Sequence, residues 1–147
     1  MYNTELFKAI ETGDLPRVTA LLNQDARLAN ALAVFDQLKQ LLKPFESHLV
    51  VKEDKPDNYS LNTPYSEQYK KEMFFGAVQI KKSYVGYYLM PVYVFPDLLD
   101  DISLELRARM QGKSCFNFKR IEPKQLKELA RLTRRSLARF RRAKLVR

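Results

Sequence analysis

A chain of 147 residues, 46% hydrophobic and 29% charged, has room for one domain with a real apolar core and none for a second of ordinary size. Four glycines and seven prolines exclude a low-complexity chain, and the longest apolar run, Tyr84 to Phe95, is too short to span a bilayer and contains Pro91. The net charge of +9 sits at one end: from Lys119 to Arg147 twelve Lys and Arg stand against Glu122 and Glu128, while the preceding 118 residues carry fourteen bases and fifteen acids.

The opening residues, Met1 to Glu5, lack the basic and apolar regions of a secretory signal. The single cysteine, Cys115, excludes an internal disulfide framework and fits a reducing compartment, so the cytoplasm is expected. From Leu6 to Ala31 the pattern predicts two short helices broken at Gly13, with Asp14 as N-cap and Pro16 in the first turn. Ala9, Gly13-Asp14, Val18 and Leu21-Leu22 resemble the opening helices of an ankyrin-type repeat. One repeat cannot bury its own apolar face, and neither a second copy nor a Thr-Pro-Leu-His element follows. Residues 1–31 are therefore expected to be a helical appendage on a body formed by residues 32–147.

A third helix is written by Leu32, Phe35, Leu38, Leu41 and Leu42 and stops before Pro44. The period then changes. Leu49-Val50-Val51 and Tyr59-Ser60-Leu61 flank the turn-rich stretch 54–58 as a hairpin, and Met73 to Ile80 and Tyr84 to Met90 flank Lys81-Lys82-Ser83 as another. In the second hairpin Phe74, Val78 and Ile80 share one face and Met73, Phe75 and Ala77 the other, which predicts cover on both sides. A broken helix from Asp97 through Met110 and a strand from Ser114 to Lys119 complete an α+β fold with an antiparallel sheet of about five strands. After Pro123, a helix places Leu126, Leu129, Ala130, Thr133, Leu137 and Phe140 on one stripe and Lys127, Arg131, Arg134, Arg135, Arg139 and Arg142 opposite. Residues 141–147 are expected to fray.

The order helix, antiparallel strands, Tyr84-Val85-Gly86-Tyr87-Tyr88-Leu89-Met90-Pro91, helix, Gly112-Lys113-Ser114-Cys115-Phe116-Asn117-Phe118 and final helix resembles the YdhG-like domain family of unknown function, over residues 32–142. The resemblance implies a small α+β domain with an antiparallel sheet. Some members are described as frataxin-like iron chaperones, which implies iron held on an acidic surface. The residues that match are Asp97, Asp100, Asp101 and Glu105, whose oxygen ligands suit weakly held iron. The same acids equally complement a helix start.

Gly112-Lys113-Ser114 looks like the end of a phosphate-binding loop, but Arg107 stands where that motif needs a glycine, and a strand pattern follows where it needs a helix. Alternation sends Ser114, Phe116 and Phe118 to one face and Lys113, Cys115, Asn117 and Lys119 to the other. With Tyr84 and Tyr88, the residues Lys113, Cys115 and Asn117 form a candidate aromatic-walled ligand site, a plain sheet surface or a homodimer seam. On the tail helix, Arg131, Arg134, Arg135, Arg139, Arg141 and Arg142 either contact nucleic-acid phosphates or form a solvated basic face. A membrane surface would require the helix to free its leucines. The only histidine, His48, follows Glu46 and Ser47 with no nucleophile at motif spacing and reads as a surface residue. Cys115 becomes a nucleophile only if Lys113 or Lys119 lowers its pKa. Paired-cysteine zinc spacing and hydrolase motifs are absent, so a non-enzymatic module that binds a small ligand or a protein is expected.

Overall fold

The computed structural model describes residues 4–147; residues 1–3, with which the expected appendage begins, lie outside the described residues. Helices α1 (Thr4–Thr12) and α2 (Leu15–Gln24) are separated at Gly13, whose φ of +74° is the left-handed conformation that glycine adopts without strain. Asp14 caps α2 by accepting from the Arg17 N–H at 3.3 Å. Asp25 ends α2 and caps α3 (Ala26–Leu42), accepting from the N–H groups of Arg27 and Leu28 at 3.0 and 3.2 Å. The third helix thus starts before the Leu32 stripe and runs unbroken through residues 31 and 32. Leu6, Ala9, Leu21 and Leu28 make a small apolar cluster, and Phe7 and Leu32 touch both it and the main core.

The strands are β1 (Val50–Lys55), β2 (Asn58–Asn62), β3 (Phe74–Ile80), β4 (Val85–Leu89), β5 (Met110–Gln111) and β6 (Cys115–Phe118), in the order β1-β2-β3-β4-β6-β5 with every pairing antiparallel. Six strands correct the expected five. The extra one, β5, comes from residues read as the end of the broken helix, and Gly112, with φ +76°, begins its turn into β6. The predicted strand 84–90 also ends early, because Pro91 sits in the first turn of a short helix α4 (Met90–Val94). The broken helix is a 3-10 turn at Pro96–Leu99 followed by α5 (Leu104–Arg107), capped by Ser103 Oγ accepting from the Leu106 N–H at 3.1 Å.

Helices α3 and α6 (Pro123–Arg142) cover one sheet face through a core that includes Tyr59, Leu61, Val78, Val85, Tyr87, Leu89, Phe116 and Phe118. A bulge breaks the alternation expected in β3: Leu61 pairs with Gly76 and Asn62 with Phe74, leaving Phe75 as the extra residue. Phe75 joins the core, edge-on to Phe140 of α6 with ring centroids 5.8 Å apart. A Cβ at Gly76 would stand 2.9 Å from the Tyr88 carbonyl oxygen, so only glycine fits there. Tyr87 donates to Thr133 Oγ1 at 2.6 Å, and that hydroxyl donates on to the Leu129 carbonyl at 2.7 Å. The buried stripe of α6 is wider than the one read from the sequence, because Leu132 and Ser136 belong to it. The tail does not fray as expected: Lys144 turns the chain at φ +64°, Leu145 N–H donates to the Phe140 carbonyl at 2.9 Å, and Leu145 and Val146 are buried. Among the described residues, no helix is long and apolar enough to cross a membrane.

Candidate functional site

Two surfaces collect the residues singled out in the sequence. The first is the sheet face opposite α3 and α6, none of whose residues belongs to the main core cluster. Across it, Ser60 pairs with Ala77, Ala77 with Tyr88 and Tyr88 with Cys115, while Asn58, Gln79, Gly86 and Asn117 form the adjacent row. The Tyr88 ring lies over Gly86, where a Cβ would come within 2.9 Å of it. Tyr88 and Cys115 are direct partners across β4 and β6, and Cys115 Sγ donates to Asn117 Oδ1 at 3.0 Å. Burial pushes both the Tyr88 phenol and the Cys115 thiol upward, against a weaker downward pull on the thiol from Tyr88 and Lys81. Cys115 is therefore held as a thiol, and the cation that acts on it is Lys81, not Lys113 or Lys119.

The expected five-residue ligand site does not assemble as one group. Tyr88, Cys115 and Asn117 meet. Tyr84 precedes Val85, which pairs with Phe118 at one end of the β4–β6 ladder, whereas Lys113 lies beyond the other end with Nζ 5.9 Å from the centre of the Tyr93 ring. The surface between them is a mixed sheet face of Asn58, Ser60, Ala77, Gln79 and Gly86 around Tyr88, Cys115 and Asn117.

The carboxylates matched to iron binding do not converge either. Asp97 receives two hydrogen bonds from Arg139, both 2.8 Å long, and Asp101 lies 3.8 Å from Arg135. Among the described residues, no three or more His, Cys, Asp or Glu side chains gather as a metal would need. The hydrogen bond from Arg139 chiefly holds the Asp97 carboxyl below its usual range, so this acid anchors α6 instead of offering a ligand.

The second surface is the outer side of α6. Its first turn is set by a capping box, in which the Glu122 side chain accepts from the Gln125 N–H and the Gln125 side chain accepts from the Glu122 N–H. Glu128 is turned away from the basic side, accepting from Ser103 N–H and Oγ. Arg139 is committed to Asp97 and stacks on Phe95 at 4.6 Å; Arg141 donates to the Arg147 carbonyl and to the unprotonated ring nitrogen of His48. His48, read as a surface residue, is half-buried and stands against Arg141. Lys124, Lys127, Arg131, Arg134 and Arg142 remain exposed, and among the described residues none of them forms an ion pair. They lie at three- and four-residue steps along one side of the helix, apart from one gap at Ala138, over about 27 Å at 1.5 Å per residue. Lys124 was missed by sequence reasoning, although the spacing Lys124, Lys127, Arg131, Arg134 marks it. No family model, no curated protein sequence and no solved structure matches this chain.

Proposed function

We propose that this protein is a cytoplasmic, non-enzymatic binding module that holds nucleic acid by its phosphate backbone along α6. One observation carries the reading: five exposed cations without acidic partners stand on one side of a helix whose other side is locked into the core. A membrane-surface role would need that apolar side released, and Leu129, Leu132, Leu137 and Phe140 are buried under the sheet. The side chains are point and fork donors to phosphate, which favours binding without sequence preference. The YdhG-like resemblance fits the α+β architecture and is part of this reading; iron carriage is not. In fluorescence anisotropy with a labelled duplex and a labelled single strand, the combined variant Lys127→Gln, Arg131→Gln, Arg134→Gln, Arg142→Gln binds both far more weakly than the wild type. Retained affinity in a folded variant sinks the proposal.

A second reading, self-association or protein binding by the helix-free sheet face, is favoured by the half-buried Gln79, Tyr88 and Asn117 grouped around buried Ala77 and Gly86. Sedimentation velocity of the wild type and of Tyr88→Ala with Asn117→Ala tests its self-association form. A monomer at every concentration removes that form.

A further inference from the structure

A cleft of about 660 Å³ opens at the end of the molecule where the first turn of α3, the β3–β4 turn and the residue after β6 meet. It is separate from the basic side of α6 and meets the helix-free sheet face only at Tyr84, and its size falls in the range of about 300–1,000 Å³ typical of small-molecule sites. The lining is largely apolar: Ala26 and Ala31 come from α3, and Tyr84, Val85 and the buried Phe118 from the end of the sheet. The lining also carries exposed Lys82 and Lys119, and an exposed Arg27 whose Nε stands 3.7 Å from Asp25 Oδ1. Among the described residues, Lys82 and Lys119 form no ion pair.

The only acid lining the cleft is Asp25, and its Oδ1 already accepts the Arg27 and Leu28 N–H groups. The start of α3 is therefore capped, and the positive character of the cleft comes from side chains and not from the helix end. Both lysines are carried on fixed backbone. Asn30 Nδ2 donates to the Lys119 carbonyl at 2.6 Å, tying the end of β6 to α3, and Lys81 N–H donates to the Tyr84 carbonyl at 2.8 Å, closing the turn that presents Lys82.

We infer that this cleft binds a small organic anion, a single carboxylate or sulfonate on an apolar aromatic body. The body rests against Tyr84 and Ala26, and the head lies between Lys82 and Lys119. A cation is repelled by the two lysines, a neutral apolar molecule leaves both unanswered, and a polyphosphate gains nothing from the apolar lining.

The full chain, titrated with anilinonaphthalene sulfonate by fluorescence and competed with naphthoate, gives saturable binding at one site. Lys82→Gln with Lys119→Gln, both at exposed positions that leave the fold intact by circular dichroism, weakens it about tenfold through loss of charge-assisted hydrogen bonds. Tyr84→Ala weakens it as well, and neutral naphthamide competes poorly. Gln substitutions at Arg131, Arg134 and Arg142 leave it unchanged, separating this site from the basic side of α6. The inference is overturned by absence of saturable binding, by full affinity in the double lysine variant, by naphthamide competing as well as naphthoate, or by loss of binding in the α6 variant.

Discussion

Tyr59 and Tyr87 are both fully buried and both close a hydroxyl bond, yet loss of the oxygen has different consequences at the two positions. Tyr59 donates to Glu46 Oε2 at 2.5 Å, joining β2 to the 3-10 turn after α3. Tyr59→Phe leaves a half-buried carboxylate without its donor and costs about 1–3 kcal/mol. Tyr87→Phe leaves Thr133 Oγ1 still donating to the Leu129 carbonyl, so it costs about 1 kcal/mol or less. Urea denaturation of the two variants checks the order; equal losses contradict it. The same phenols govern the alkaline limit. Burial, before any other cause, holds Tyr59, Tyr87 and Tyr88 above the ordinary range of a tyrosine. Their folded pKa values are raised, so the stability they contribute is complete below the unfolded value of about 10 and is lost as pH rises beyond it. In a phenolate absorbance titration, these three of the eight tyrosines ionise only together with unfolding. A smooth titration of all eight near the ordinary value would show that the three are accessible.

At the scale of elements, α6 separates arginines that hold the helix from arginines that face solvent. Arg139→Gln breaks the bidentate pair with Asp97 and the stack on Phe95, and it lowers the melting temperature; Arg134→Gln, on the exposed side, does not. Because Asp97 is depressed in the folded chain, its contribution is present above the unfolded value of about 4 and disappears as pH falls below it. Asp97→Asn therefore flattens the acid limb of stability, and an unchanged limb counts against the anchor. In β3, Gly76→Ala drives a methyl group against the Tyr88 carbonyl and costs about 1–3 kcal/mol in thermal or urea unfolding, whereas a neutral result means the ladder can shift.

These contacts also show what local sequence carries. The helical period exposed the buried side of α6 and the alternation around Phe116 and Phe118, because both signals repeat within a few residues. Leu132 and Ser136 escaped because α6 is flanked by helix and sheet together, which widens its buried side beyond one stripe. Two-residue β5 is too short to have a period, and the run through Met90 reads equally as strand or helix until Pro91 is placed in a first turn. The Arg139–Asp97 pair joins residues 42 apart in the chain, and the separation of Tyr84 from Lys113 follows from strand register. Neither is a local property.

The whole molecule is a nearly neutral α+β body carrying its excess charge on one ordered helix. Had the tail frayed, its cations would form a diffuse cloud. Burial of Leu145 and Val146 and the anchors at Asp97 and Ser103 fix the helix as a straight basic edge instead. A fixed edge binds a set number of phosphates, and that number is readable from salt dependence. The decisive measurement is the affinity for a labelled duplex across a series of salt concentrations, for the wild type and for the fourfold Lys127, Arg131, Arg134, Arg142 glutamine variant. Five phosphate contacts predict a slope of log affinity against log salt of about −4.5 for the wild type, collapsing to about −1 in the variant as four contacts are lost. The same slope in both proteins, or no binding by the wild type at low salt, would contradict the account.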